Sequence, residues 1–550
     1  MPTDSSFPTV EIPSVDLWGF IFERKDRNFS DDQVIYRSCN DSSRKYSWRE
    51  VREAAEAFGK GLRNQWDWSK GDTLAIYAPN DVDFSPIIYG TFYAGGIVTP
   101  ANPAYSANEL EFQLKNSEAK ALVTTKKFLA NAEKAAKKAG IDSDRIILLG
   151  EERDDSHRFK HWTNIRATSG AVRYRRRKMD PDKDLAFLAY SSGTTGLPKG
   201  VMLSHRNIIA DVLLINGAVG KWYEGGKDKI LGVLPFFHIY GLTGLLHQPL
   251  HRGLEVIVMP AFDLKVFLEA IQEHKITFIY VAPPVIVRLA RDELVSKYDI
   301  SSVKMITSGA APLTKELVDT VHKRTKIKIN QAYGLSETSP MTHTQPWDEW
   351  YSSVGSVGKM FPNMLAKYMS EEGEEVPPNQ PGELWLSGPN VFKGYWKNEK
   401  ATKDSMSPDG KFFKTGDVGY QDANNNFYIT DRVKELIKYK GFQVAPAELE
   451  GKLMDHEGVN DVAVIGVQDE EMHTEVPRAY IVPAKGKDSD KDAEEIVKWV
   501  SEQVASHKRL RGGVRFIEEI PKSASGKILR RVLKDKAKQE DKDSGKKAKL

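Results

Sequence analysis

One cysteine, Cys39, stands in 550 residues. A lone cysteine rules out an intrachain disulfide and fits a reducing compartment. No motif frames it as a nucleophile. Net charge is nearly absent too: 79 Lys and Arg against 76 Asp and Glu leave +3. No global field therefore draws the chain to nucleic acid or anionic lipid, and the basic run Arg175–Lys178 reads as a solvated loop. Long apolar stretches are missing. The most apolar one, from Phe84 to Pro100, contains Pro86 and three glycines and has Asp83 beside it. It reads as a buried helix, turn and strand, which excludes a membrane span. Residues 1–13 lack the basic start and apolar centre of a secretory signal, and no repeat or heptad pattern occurs. What is there, 40% apolar and 28% charged residues, describes a globular chain long enough for about two to four domains.

Between about Ser47 and Lys326, short β-type runs alternate with amphipathic helical patterns. Runs such as Thr73–Tyr77, Ala121–Thr124, Ile230–Leu234 and Phe278–Val281 are separated by helices such as Trp48–Asn64 and Leu264–His274. Such alternation predicts an α/β class with parallel-rich sheets covered by helices. From Ala366 to Thr430 the pattern becomes short strands and turns: Gly382–Leu386, Asn390–Tyr395 and Phe427–Ile429. This predicts a small β-rich subdomain. After Asp431 a compact α+β unit follows, with helices at Pro446–Met454 and Ala493–Ser506 and strands at Val462–Val467 and Arg478–Val482. The expected domains are thus 1–431 and 432–550.

The densest chemical signal is Tyr190-Ser-Ser-Gly-Thr-Thr-Gly-Leu-Pro-Lys-Gly200, with four Ser or Thr hydroxyls, three glycines and Lys199 in eleven residues after the apolar run Leu185–Ala189. Glycines bring bare N–H groups up to a phosphate, and Lys199 adds a point charge. The Walker-A spacing fails, because its second glycine would fall at Pro198. The reading is strand, phosphate loop, strand, then a helix capped by Ser204. Asn330-Gln-Ala-Tyr-Gly-Leu-Ser-Glu-Thr338 places an amide and an aromatic before a hydroxyl and a carboxylate, and Glu337 suits a divalent metal. Ser308–Leu313 is a small-residue loop that admits a flat ligand. Lys414-Thr-Gly-Asp-Val418 and Asp431–Gln443 offer acidic and basic groups for a ribose or phosphate. Pro521–Arg530 carries Lys527 at a loop tip ahead of an amphipathic helix. Read singly, most of these are also ordinary turns, edge strands or surface lysines.

Taken in order, the phosphate loop, Tyr333-Gly-Leu-Ser-Glu337, Thr415-Gly-Asp417, the Asp431–Gln443 segment and the Lys527 loop resemble the acyl-adenylate-forming superfamily. The resemblance is to its branch of 4-coumarate–CoA ligases, acyl-CoA synthetases and luciferases, and it spans about Ser47 to Leu533. It implies an enzyme that joins a carboxylic acid to ATP with magnesium and then passes the acyl group to coenzyme A.

Carried over by resemblance, Ser191, Ser192, Gly193, Thr194, Thr195 and Lys199 face the outer phosphates. Ala310, Gln331, Ala332 and Tyr333 hold the adenine side, Ser336 the α-phosphate, Glu337 the magnesium, and Asp417 with Arg432 the ribose. Lys527 bridges the carboxylate and the α-phosphate. Lys434 matches a hinge about which the mobile C-terminal domain turns, presenting Lys438, Lys440, Gly441 and Gln443 to the thiol step, with Lys440 and Gly441 near coenzyme A. His238 matches an aromatic gate. The acid is expected among Ile239, Tyr240, Thr243, Tyr280, Thr307 and Met341, a mostly apolar slot for an aryl, phenylalkanoic, cinnamic or medium-chain acid. Hydroxycinnamate ligases usually carry a lysine near Thr307, so strict 4-coumarate specificity does not follow; they also tend to have one near Ala261, close to the nucleotide of coenzyme A, and its absence weakens that contact only.

Three competing readings are a luciferase-like oxygenase, a loader of carrier proteins and an inactive binding protein. Against them stand Phe237-His-Ile-Tyr240 in place of His-His-Gly-Phe, the absence of a fused carrier motif, and the full set of charged site residues. The last thirty residues hold eleven Lys and Arg against four Asp and Glu. Their end, Ala548-Lys-Leu550, has the shape of the Ser-Lys-Leu address, so a peroxisomal import receptor is an expected partner; the alternative is a frayed lysine-rich tail with a cytoplasmic location.

Overall fold

The computed structural model describes residues 2–166, 174–191, 198–311, 313–440, 442–470, 472–523 and 526–547. The expected phosphate-loop residues Ser192, Gly193, Thr194 and Thr195, together with Gly441 and Ala548–Leu550, lie outside the described residues.

Two large sheets carry the first part of the chain. A seven-stranded sheet runs in the order 199–204, 185–191, 97–101, 73–77, 119–124, 146–148, 160–161. It is parallel at its centre and closes with the antiparallel pair Leu185–Ser191 and Lys199–Ser204. A nine-stranded sheet has a parallel centre through 229–232, 278–281, 305–308 and 328–334. The central strands are buried and rich in Val, Ile and Leu, as strands covered on both faces must be. Helices start where the sequence supplies caps. Ser47 and Glu50 close a capping box at Trp48–Trp66, and Ser204 with Asn207 does so at His205–Val219. The strand, loop, strand, capped-helix reading around Lys199 therefore agrees with the backbone on both sides of the loop.

A five-stranded antiparallel sheet contains 365–369, 382–387, 413–421 and 427–432, and the early pair Thr3–Asp4 joins its edge. Asn390–Tyr395, expected as a strand, is not one. Gly394 has φ +127, and the segment makes a single bridge, Tyr395 to Val201. A left-handed or mirror-β glycine breaks the pleat that a strand needs. Arg176, expected in a solvated loop, forms ion pairs with Asp16 (2.5 Å) and Glu23 (3.0 Å) that tie its segment to the two ends of the helix Leu17–Phe22.

From residue 437 onward a separate hydrophobic cluster forms, running from Ile437 to Ala537. It contains the helix Pro446–Met454, as expected, and longer strands than expected, Val459–Asp469 and Thr474–Pro483. Its second helix is Asp490–Gln503, not 493–506, because Ser489 and Asp492 form a capping box that fixes an earlier start. No helix among the described residues is long and apolar enough to cross a membrane.

Five imidazoles, those of His161, His205, His247, His251 and His343, are buried at 9% exposure or less, and burial lowers the pKa of each. Burial holds His205 down to about 4, His247 and His343 to about 3, and His251 well below its ordinary value. The unfolded chain binds a proton on each near pH 6.5 that the folded chain refuses. Stability is thus complete above that pH and is lost as pH falls below it, by about 1.4 kcal/mol per pH unit per group. We expect the urea midpoint, followed by tryptophan fluorescence, to fall between pH 6.5 and 5 by less than the histidines alone would give, because the Glu450 and Asp431 carboxyls, pushed up by burial to about 7 and about 6, gain stability over the same interval. His343→Phe should make the slope less steep by one such increment; an unchanged slope in that variant would exclude the effect.

Candidate active site

The strand ends of the nine-stranded sheet open onto a cleft of about 400 Å³ of atom-free space, part of it open to solvent. Its walls come from three places. The 238–240 segment supplies His238, Ile239 and Tyr240; the loop after Met305–Ser308 supplies Gly309 and Ala310; and the end of Lys328–Gly334 with the following turn supplies Ala332 to Ser336, Pro340 and Met341. Lys527 enters from the C-terminal unit. The backbone is pressed close here. A Cβ on Gly334 would stand 2.0 Å from the Pro340 carbonyl oxygen, and one on Gly309 would stand 3.1 Å from the Tyr240 ring. Ala310 takes φ +73, a conformation that alanine rarely adopts and that recurs at ligand clamps.

At one end sits a charged group. Asp417 lies opposite Arg432 across two antiparallel strands. Its Oδ1 accepts from Arg432 Nε at 3.1 Å, and its Oδ2 accepts from the Tyr333 hydroxyl at 2.5 Å. Burial and the Asp417 charge push the Tyr333 phenol well above its ordinary range. Lys527 is packed deep among protein atoms yet keeps part of its surface on the cleft. Burial lowers its ammonium pKa, the Arg432 charge lowers it further, and Asp417 and Glu337 work the other way.

Glu337 is 9% exposed. Its Oε1 accepts from the Tyr395 hydroxyl at 2.8 Å, and Lys199 Nζ lies 5.0 Å from the centre of the Tyr395 ring. Tyr395 thus joins the strand after the phosphate loop to the carboxylate of the second motif. Sequence reasoning missed it, taking it as part of a strand. The available signal was an aromatic next to a glycine in Lys393-Gly-Tyr-Trp396. Gln331, on the strand that leads to Tyr333, has a buried Nε2 with no partner among the described residues, and so does the Ser308 hydroxyl. Buried donors without acceptors are costly and suit a ligand that supplies one.

Behind Met341 a second, smaller space, about 220 Å³ of atom-free volume of which part is open to solvent, is lined by Tyr280 and Thr307, two of the residues expected around the acid, and by Tyr223 and Trp347, which were not among them. Tyr223 and Tyr280 hydrogen-bond through their hydroxyls. Thr243 is not part of either wall and donates to the Ser339 carbonyl at 2.7 Å. His238, partly open to the cleft, is held down to about 3, by burial first and by Lys527 second.

The remaining expected residues stand apart from the cleft. Lys434 lies exposed in the turn after Arg432. Lys438, Lys440 and Gln443 lie on the hairpin Ile437–Tyr439/Phe442–Val444, and all three are exposed. Gln443 Nε2 donates to Glu371 at 2.5 Å. Lys438 and Gln443 are thus not brought together with Lys527 and His238 in this arrangement. Ser191 ends the strand before the phosphate loop and Lys199 begins the one after it.

Comparison with known proteins agrees with this geometry. The model of the AMP-binding enzyme family matches residues 22–396, and that of the AMP-binding enzyme C-terminal domain matches residues 448–527. The 4-coumarate–CoA ligase of Vanilla planifolia is 36% identical over 543 residues, covering 96% of this chain and 95% of that protein. The phenylacetyl-CoA ligase epaB of Aspergillus niger is 35% identical over 544 residues, covering 96% and 98%. The crystal structure of ATP-bound MatB from Rhodopseudomonas palustris is 27% identical, with a TM-score of 0.83 over 95% of this chain and 99% of that one. A buried lysine, an Asp–Arg pair and a carboxylate around one cleft, on a chain matched nearly end to end, place this protein in the AMP-binding enzyme family.

Proposed function

We propose that the protein is an ATP-dependent acid–CoA ligase that forms an acyl-adenylate and then an acyl-CoA thioester. The observation that carries this is Lys527, delivered from the C-terminal unit into the cleft that also holds the Tyr333–Ser336 turn, beside the Asp417–Arg432 pair. In the first step a carboxylate oxygen attacks the α-phosphorus, a new O–P bond forms and pyrophosphate leaves. Two anions must approach, so a cation fixed between them lowers the barrier without reorganising. A lysine partly stripped of water and flanked by Arg432 is suited to grip incoming negative charge. Asp417 and Arg432 suit the ribose, and the unpaired Gln331 amide suits the purine edge.

For magnesium, Glu337 is the fitting residue. The described residues contain no cluster of three or more His, Cys, Asp or Glu for a metal, but magnesium keeps several waters and takes one or two carboxylates plus substrate phosphates. When bound, it would neutralise phosphate charge. Tyr395 fixes the Glu337 carboxylate for that purpose.

In the second step the sulfur of coenzyme A attacks the acyl carbonyl, the C–S bond forms and AMP leaves. Lys438, Lys440 and Gln443 face away from the cleft here, so this step calls for a turn of the 432–550 unit near Lys434. The separate core beginning at Ile437 supports such a movement. With its pKa held low, His238 is a weak proton acceptor at neutral pH; this supports a role as the wall or gate of the acyl site. The anhydride is already activated, and a small thiolate fraction suffices for attack.

The apolar rear space with tyrosine hydroxyls and Trp347 favours a flat acid: aryl, arylalkanoic or cinnamic, with medium-chain fatty acids as the runner-up. The names of the two relatives point the same way. A screen of carboxylic acids for ATP-dependent pyrophosphate release, with and without coenzyme A, tests the reading; no release with any acid would refute it. Lys527→Ala should cut acid-dependent pyrophosphate release by at least roughly a hundredfold while transfer from synthetic acyl-adenylate to coenzyme A persists. Equal loss of both steps would remove Lys527 from the assigned place. Tyr395→Phe should raise the magnesium concentration needed for half-maximal release roughly tenfold, with the KM of the acid unchanged. An unaltered magnesium curve would mean that Tyr395 does not hold Glu337 for the metal.

A further inference from the structure

The helix Pro446–Met454 has no cap of its own. Its N-cap residue is Ala445, with no side chain to offer, and Pro446 follows at the first position. The N–H of Ala447 is nevertheless satisfied. It donates at 3.0 Å to Oδ2 of Asp431, sixteen residues earlier, on the other side of the Lys434 turn. The other oxygen of Asp431 accepts from the N–H of Arg432 at 2.7 Å. Asp431 is 6% exposed and sits on the strand Phe427–Arg432, which pairs with the Asp417 strand. One carboxylate therefore grips the ribose-side strand and the first turn of a helix belonging to the next unit. An anion in this place meets both the free N–H groups and the positive end of the helix.

That helix leads to Lys527 through fixed contacts. Glu450 on the helix accepts from the N–H of Val464 (2.7 Å) and pairs with Arg530 (2.7 Å). Arg530 also pairs with Glu435 (2.8 Å) and donates to the Val464 carbonyl (3.2 Å). Arg530 follows Lys527 by three residues. Other contacts across the two parts include Arg291 to the carbonyl of Asn460 (3.2 Å), Gln443 to Glu371, and Gly526, next to Lys527, set against Ala282 and Pro284.

We propose that Asp431 is a positioning residue: by lending its carboxylate to the helix Pro446–Met454, it selects the docked arrangement in which Lys527 enters the cleft. The proposal rests on the ligase reading above. When the unit turns about Lys434, Asp431 stays behind and the helix loses its cap, so the contact belongs to the adenylate-forming arrangement alone. Glu435 and Glu450, by contrast, travel with Arg530.

The test compares wild type, Asp431→Ala, Asp431→Asn and the double variant Asp431→Ala/Ala445→Ser at pH 8, where the Asp431 carboxyl, pushed up to about 6 by burial, is ionised. The Ala445→Ser change gives the helix a local cap; Ala445 already has the extended backbone this needs (φ −79, ψ 114). Asp431→Ala should lower pyrophosphate release roughly tenfold and leave transfer from synthetic acyl-adenylate to coenzyme A undiminished. Asp431→Asn should fall between, since its amide oxygen still accepts but carries no charge. The double variant should regain the unfolding midpoint but not the pyrophosphate release. If the local cap restores both together, or if both half-reactions fall alike, Asp431 is only a helix cap and the proposal fails. Should Asp431→Ala not fold, the Asn and double variants make the same comparison. Tryptic cleavage at the exposed Lys434 turn reads docking without catalysis: faster cutting in Asp431→Asn or the double variant supports the proposal, and an unchanged rate overturns it. That arm decides the matter even if no acid is ever activated, an outcome that would sink the ligase reading by itself.

Discussion

An ammonium group partly removed from water is unstable unless anions stand near it, and the arrangement around Lys527 answers that constraint. Asp417 and Glu337 offset burial, while Arg432 adds to its effect. The balance leaves a cation that gains from any further negative charge entering the cleft. Had Lys527 been fully neutralised by a direct carboxylate partner, it would have little pull left for phosphate. Had it been alone, it would have shed its proton. The surrounding strands, and the tyrosine that occupies one oxygen of Asp417, keep this balance fixed in geometry.

The same logic extends to the carboxylates. Glu337 and Asp417 each accept from a tyrosine hydroxyl, Tyr395 and Tyr333. A phenol donor orients a carboxylate without cancelling its charge; at Asp417 the other oxygen is also paired with Arg432 (3.1 Å). Each tyrosine is in turn held by backbone: Tyr395 by its bridge to Val201, Tyr333 by its place in the strand Lys328–Gly334. Cleft chemistry thus depends on sheet register, and the close approach of Gly334 to Pro340 shows how little slack that register has.

Much of this was legible in the sequence, and the parts that were not share a cause. Ser204 as a helix cap, the strands flanking the phosphate loop and the helix Pro446–Met454 follow from local pattern. Tyr333, Ser336 and Lys527 were found because their motifs are contiguous. The contacts of Tyr395 and Asp431 were not, since each acts on a partner sixteen or more residues away: Asp431 entered only as the start of a motif, and Tyr395 only as part of an expected strand. Asn390–Tyr395 looked like a strand because its residues are apolar and aromatic; Gly394 and the single bridge overrule that composition. Arg176 looked solvated because nothing local shows Asp16 and Glu23 waiting for it.

The hydrophobic cluster from Ile437 to Ala537 shares no side chain with the clusters that surround the acid slot. Substitutions that reshape that region therefore do not repack the module that bears Lys527 and the hairpin Ile437–Tyr439/Phe442–Val444, and the reverse holds as well. Two selective pressures, one on which acid is taken and one on what receives it, act on separate interiors, so such a lineage can diversify its chemistry one half at a time.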